Sequence, residues 1–142
     1  MKIVLLSHGN FCYGLLDTIQ MIAGEQKDIE AVGLKPGESD TAYLERVEKA
    51  IKPAIDSNEN VVVFTDLISG TPFNVTIQLM KKYNIHHFSG ISVPILLEFV
   101  MSKEFVPFED LLTQIEEVSK TSFLNVNKYI EQALENIGDD DD

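Results

Sequence analysis

Four short apolar runs, each followed by a longer stretch of helical period, confine this chain to the α/β class. The strongest is Val61-Val62-Val63-Phe64-Thr65-Asp66, β-branched and apolar up to a terminal acid. Residues 2–7 form another, continuously apolar through Leu6, as a strand buried on both faces requires. Residues 29–34 and a strand within residues 85–93 complete the set. Lys35-Pro36-Gly37 reads as a turn.

Between the strands, apolar residues recur every three or four positions. Leu15, Leu16, Ile19 and Ile22 mark a first helix, stopped by Gly24. Asp40 is placed to cap a second, whose expected inner stripe is Leu44, Val47, Ile51 and Ile55, with Pro53 set to kink or end it. Thr71-Pro72 predicts a third helix with threonine as N-cap and proline first inside, running through Ile77 and Met80 to about Tyr83. Pro94 opens a fourth through Leu96, Leu97 and Val100. Pro107 opens a fifth with Leu111, Leu112, Ile115 and Val118 on its inner face. Residues 121–136 fit two periods: Leu124, Val126 and Ile130 suit a strand, whereas Tyr129, Ala133 and Ile137 suit a helix. One domain is expected over residues 1–138, followed by a solvated acidic tail at 139–142.

Charge and cysteine content bound the chemistry. Asp and Glu number 23 against 11 Lys and Arg, a formal net charge of -12, and Arg46 is the single arginine. Such a surface disfavours nucleic acid and anionic membranes, and it suits basic protein partners. One cysteine, Cys12, excludes an intramolecular disulfide and a multi-cysteine zinc cluster. Three scattered histidines do not make a metal site, so no metal or other cofactor is expected. No apolar run reaches the ~18 residues of a membrane span, and the N-terminus enters its first strand without a cleavage-site pattern. The expected location is cytoplasmic.

Ligands of open parallel sheets bind beyond the carboxyl ends of the strands, where strand order reverses. Right-handed crossovers make the order 2-1-3-4 natural, with helices on both faces and strands one and three side by side. Their ends carry Ser7-His8-Gly9 and Thr65-Asp66, so a histidine and a carboxylate meet at the switch point. An Asp accepting the Nδ1 hydrogen fixes the tautomer and leaves the Nε2 lone pair outward as a nucleophile. Taken singly, His8 is a hydrogen-bonded strand-end histidine and Asp66 a turn acid; only their placement opposite each other favours chemistry.

Ser69-Gly70-Thr71-Pro72-Phe73-Asn74 then enters a helix N-terminus, whose free N–H groups favour phosphate. Thr71 can add its hydroxyl, and Gly70 permits close backbone approach. The same segment also suits a plain capped helix start. No GxGxxG occurs, and Gly9 to Gly14 lacks the Lys-Ser/Thr of a P-loop, so nucleotide chemistry has no support. His86 and His87 lie at the amino end of strand four and suit surface or packing roles, and Cys12 suits packing. Phe11, Tyr13 and Phe73 either rim the site or cover the core.

Three motifs now stand in order: Ser7-His8-Gly9 with Gly14, then Asp66-Leu67-x-x-Gly70-Thr71-Pro72-Phe73-Asn74, then Ser89-Gly90-x-x-x-Pro94-x-Leu96-x-Glu98. Over about residues 1–120 the chain resembles the enzyme IIA component of the mannose class (mannose, fructose, sorbose) of the sugar phosphotransferase system (PTS). The resemblance implies that His8 takes a phosphoryl group from the phosphocarrier protein HPr and passes it to a histidine of the IIB component. Through IIB the chain would serve the membrane components IIC and IID. Asp66 would orient His8, and Gly9, Gly70, Thr71, Phe73 and Asn74 would surround the phosphoryl oxygens. It further implies a homodimer, in which an extra antiparallel C-terminal strand crosses to the partner; residues 123–130 are the candidate equivalent. Ser69, Ser92 and Ile95 depart from the glycine, asparagine and methionine usual at those places. Three alternatives compete. The phosphotransfer subunit of a dihydroxyacetone kinase has a similar domain, but the Gly70-Thr71-Pro72-Phe73-Asn74 run favours the transporter. A receiver phosphorylated on Asp66 would lack its acidic pair after strand one. A non-catalytic anion-binding module of flavodoxin-like shape is the third.

Overall fold

The computed structural model describes residues 1–140. In chain order it runs β1 (Lys2–His8), α1 (Phe11–Ala23), β2 (Ile29–Leu34), α2 (Asp40–Asp56), β3 (Val61–Thr65), α3 (Thr71–Met80), β4 (His86–Ser89), α4 (Val93–Ser102), α5 (Phe108–Ser119) and α6 (Val126–Asp140). The four strands are parallel in the order β2-β1-β3-β4. The α/β open sheet expected from the sequence, with strands one and three adjacent, is the observed one.

Strand alternation builds two cores, one on each face of the sheet. Ile3, Leu5, Val62 and Phe64 point to one face, where Leu15 and Ile19 of α1, Leu96 and Phe99 of α4 and Leu111 and Ile115 of α5 cover them. Val4, Leu6, Val61 and Val63 point to the other, under Tyr43, Val47 and Ile51 of α2 and Val75 and Leu79 of α3. Helix α1 carries the chain from β1 outward to β2, and α2 carries it back across to β3. This reversal places the crevice between the carboxyl ends of β1 and β3.

Several local expectations are corrected. The cap of α2 is Ser39, whose side chain accepts the N–H of Ala42 at 3.1 Å; Asp40 lies one residue inside. The buried stripe of α2 is Tyr43, Val47, Ala50, Ile51 and Ala54, and Leu44 and Ile55 are only partly covered. Tyr43 wins the inner position because its hydroxyl, though buried, donates to the Val32 carbonyl at 2.6 Å. Pro53 neither breaks nor ends α2, which continues to Asp56: it sits on the exposed face, where the Lys49 carbonyl that its missing N–H leaves without a donor can bond water. Ile22 at the end of α1 is exposed. The N-cap of α3 is Gly70, with Thr71 the first helical residue, and the helix stops at Met80 rather than near Tyr83.

The largest correction concerns the C-terminus. No fifth strand forms among the described residues, because residues from Val126 onward are helical. Val126, Tyr129, Ile130, Ala133, Leu134 and Ile137 recur at three and four, a period no strand can bury on one face. The exposed Phe123 and Leu124 precede this helix, and Val126, Tyr129, Ile130, Leu134 and Ile137 are exposed along it. The backbone of Asp139 and Asp140 belongs to α6 rather than to a free tail; Asp141 and Asp142 lie outside the described residues.

Candidate active site

His8 is the last residue of β1, and Asp66 directly follows β3. Register pairs Leu6 with Thr65, so the next residues of the two strands emerge together at the switch point. One carboxylate oxygen, Asp66 Oδ2, accepts both the His8 backbone N–H at 3.0 Å and the His8 Nδ1 hydrogen at 2.9 Å. The other, Oδ1, accepts the N–H of Leu67 at 2.9 Å. Partial burial raises the Asp66 carboxyl, but the His8 backbone N–H, the His8 ring and the Leu67 N–H together hold it below its ordinary value. It is therefore an anion whose two oxygens are held by fixed N–H donors. The Asp66 side chain is 13% exposed and the His8 side chain 45%, so the carboxylate sits behind and the imidazole in front.

With Nδ1–H donated to Asp66, the lone pair of His8 is on Nε2. That atom faces the start of α3. A Cβ built on Gly70 would lie 2.8 Å from both Nε2 and Cε1 of His8, and Gly70 has φ 87° and ψ -179°, a conformation open essentially to glycine alone. Glycine is thus required at this position twice, by space and by backbone. No side chain caps α3. Its first turn consequently directs the N–H groups of Thr71 and Phe73, which have no intrahelical acceptor, toward the crevice end of the helix.

The β1–α1 turn is braced from below. Ser7 Oγ accepts the Cys12 N–H at 2.9 Å and donates to the Gly9 carbonyl at 3.3 Å, and Gly9 N–H donates to the Leu34 carbonyl at 2.9 Å. Gly33 packs so closely that an added Cβ would run into the Gly9 carbonyl and the Tyr13 ring. The Gly33 N–H donates to Tyr13 Oη at 3.0 Å, so this tyrosine ties α1 to β2. Cys12 is buried, and burial pushes its thiol pKa up, as suits a packing residue rather than a nucleophile.

The Asp66 loop has a second support, which reading the sequence missed. Thr65 Oγ1 lies 2.9 Å from His87 Nε2 and donates to Ser89 Oγ at 2.8 Å, and Ser89 Oγ donates to the Leu67 carbonyl at 2.7 Å. Because the Thr65 proton is committed to Ser89, His87 must donate from Nε2, and the whole chain of bonds runs in one direction. Burial lowers the His87 pKa, keeping it neutral. The available signal was register: Thr65 pairs with Ser89, and Val63 with His87.

Of the residues singled out from sequence, His8, Asp66, Gly9 and Gly70 converge. Phe73 is half-buried with its ring 5.1 Å from that of His87, and Asn74 is exposed on α3. The Thr71 hydroxyl donates to Asp40 Oδ1 at 2.9 Å. His86 packs edge-on against Phe108. Ser92 Oγ is buried without a hydrogen-bond partner among the described residues. Among those residues no group of three or more His, Cys, Asp or Glu side chains is arranged to hold a metal ion.

Comparison with known proteins places the fold in a family. Residues 2–116 match the family described as PTS system fructose IIA component. The fructose-specific EIIA component of Bacillus subtilis is 27% identical over 132 residues, covering 92% of this chain and 90% of that protein. A crystal structure of a phosphotransferase system EIIA component from Streptococcus agalactiae superposes with a TM-score of 0.80 at 27% identity, over 89% of this chain and 98% of that one. The PTS IIA protein associated with the fucose utilization operon of Streptococcus pneumoniae gives 0.78 at 29%, over 91% and 95%. Matched over residues 2–116 and across its whole sheet, the chain belongs to the mannose-class IIA family of the sugar phosphotransferase system and is a phosphoryl carrier of that system.

Proposed function

We propose that His8 Nε2 is the atom that carries the phosphoryl group, received from phospho-HPr and delivered to a histidine of the IIB component. One observation supports this above the others: the two ring nitrogens of His8 have divided roles, Nδ1 on Asp66 and Nε2 against Gly70 at the start of α3. In the forward step the Nε2 lone pair attacks phosphorus as the P–N bond to the donor histidine breaks, and that bond's electrons return to the donor ring. Phosphorylation places positive charge on the His8 ring, which the Asp66 carboxylate stabilises through Nδ1–H. The three phosphoryl oxygens would lie against the N-terminus of α3, among Gly9, Gly70, Thr71, Phe73 and Asn74, where the helix dipole and free N–H groups favour negative charge. Exchange between two histidines keeps a similar bond on both sides, so positioning and charge stabilisation suffice for catalysis.

In this reading residues 1–138 act as one IIA domain, cytoplasmic and working through IIB with membrane components IIC and IID. Among the described residues no helix is long and apolar enough to cross a membrane. The net charge of -12 favours rapid encounter with a basic donor surface. A homodimer is supported by the outer edge of β4, which has no strand partner among the described residues, and by the exposed apolar face of α6. A receiver-type phosphorylation of Asp66 is disfavoured, since its carboxylate is largely buried behind the exposed His8 ring, to which it is hydrogen-bonded.

The deciding experiment incubates the protein with phosphorylated HPr and excess chelator, then tests label stability and maps the site. Label that is labile in acid, stable in alkali and absent from His8→Ala is the expected result. Label on Asp66, label retained in His8→Ala, or an absolute need for magnesium would overturn the mechanism.

A further inference from the structure

The hydroxyl that opens helix α3 beside the phosphoryl site is already engaged. Thr71 follows Gly70, whose backbone abuts His8 Nε2, yet its Oγ1 donates to Asp40 Oδ1 at 2.9 Å. Asp40 is not needed as a cap, because Ser39 performs that task for α2. A threonine hydroxyl has one proton and can give it to one strong acceptor at a time.

We propose that Asp40 is a positioning residue that competes with the phosphoryl group for the Thr71 proton and so keeps the carried group easy to release. This rests on the assignment of His8 as the phosphoryl acceptor. A phosphoryl group brings only acceptor oxygens, with up to two negative charges. When it arrives, Thr71 has two choices. It turns its proton to a phosphoryl oxygen, leaving the Asp40 carboxylate without that donor and near a like charge, or it stays with Asp40 and the phosphoryl group has one donor fewer. Either choice raises the free energy of the phosphorylated state relative to a site with no acid at position 40. A carrier must hand on what it receives, and an acid that weakens its hold serves the second half-reaction. Replacing Asp40 by Asn reverses the polarity of the contact: the amide NH₂ can donate to Thr71 Oγ1, which frees the hydroxyl proton for the phosphoryl group and removes the charge.

The test measures the equilibrium between labelled phospho-HPr and this protein for the wild type, Asp40→Asn, Thr71→Val and the double variant, with thermal unfolding recorded to confirm that each is folded. Asp40→Asn is expected to shift the equilibrium toward the phosphorylated protein by about 3- to 10-fold, the size of a partly screened like-charge contact plus one hydrogen bond. In the Thr71→Val background the same substitution should shift it markedly less. An Asp40→Asn equilibrium equal to that of the wild type would overturn the proposal, and an equal shift in both backgrounds would overturn the route through Thr71. Failure of the wild type itself to take label on His8 would overturn the assignment of the site, and that result is visible without any variant of Asp40.

Discussion

Asp66 holds His8 at two points through a single oxygen: Oδ2 accepts the backbone N–H at 3.0 Å and the ring Nδ1 hydrogen at 2.9 Å. The backbone bond fixes the end of β1 beside β3, and the ring bond fixes the tautomer. One carboxylate therefore joins the strand register to the direction of the Nε2 lone pair.

Asp66→Asn should fold with somewhat reduced stability, because its NH₂ must face either the His8 or the Leu67 backbone N–H, and should accept phosphate from HPr about 10- to 100-fold more slowly, the usual consequence of disturbing the partner that orients an imidazole. The amide can present its NH₂ to Nδ1 and select the tautomer with the hydrogen on Nε2. Rapid-quench measurement of phosphoryl transfer checks this, and a wild-type rate would deny Asp66 the role.

Gly70→Ala should cost about 1–3 kcal/mol of stability, because φ 87° with ψ -179° strains any residue with a Cβ. The methyl group would also meet the His8 ring at 2.8 Å, so transfer should fall even in the folded fraction. Urea unfolding and single-turnover transfer measured on one sample separate the two effects.

Ser89→Ala removes the donor to the Leu67 carbonyl and leaves the fully buried Thr65 hydroxyl without its acceptor. A loss of about 1–3 kcal/mol is expected from an unsatisfied buried donor. The loop carrying Asp66 should loosen as well, visible as faster hydrogen exchange of the Leu67 amide.

Stability should fall in acid in two windows. His87 has its folded pKa below the ordinary 6.5 because it is buried, so the unfolded chain binds a proton first and stability declines as pH drops below that value. Asp66 has its folded pKa below the ordinary 3.8, so its contribution is present above that pH and lost as pH falls further. Urea titrations at pH 7 and pH 5.5 should show a smaller decline in His87→Gln than in the wild type.

The proposed homodimer predicts a sedimenting species of about twice 15.9 kDa at micromolar concentration. Charged substitutions on the exposed face of α6, such as Ile130→Glu with Leu134→Glu, should shift it toward monomer if that face contributes. A wild-type monomer would remove the dimer without touching the chemistry of His8.

The strands, their order and the His8–Asp66 pair were legible in the sequence. A strand buried on both faces must be written as an unbroken apolar run, and Ile3 to Leu6 and Val61 to Phe64 admit no other period. Right-handed crossovers then leave few arrangements, and the switch-point rule brings together whatever ends β1 and β3. Features that depend on the rotation of a helix about its own axis, or on contacts between distant elements, were left to tertiary structure. The choice of Tyr43 over Leu44 as the buried residue of α2 follows from a carbonyl on β2 that its hydroxyl can reach. Thr71 finds Asp40 thirty-one residues away, and His87, Thr65 and Ser89 form one chain only because β3 and β4 pair in a particular register. At the C-terminus two periods competed over residues 121–136, and helix prevailed from Val126 onward, where the stripe recurs at three and four. Local pattern specifies which residues are buried in a sheet; which side chains meet across helices is decided only when the layers pack.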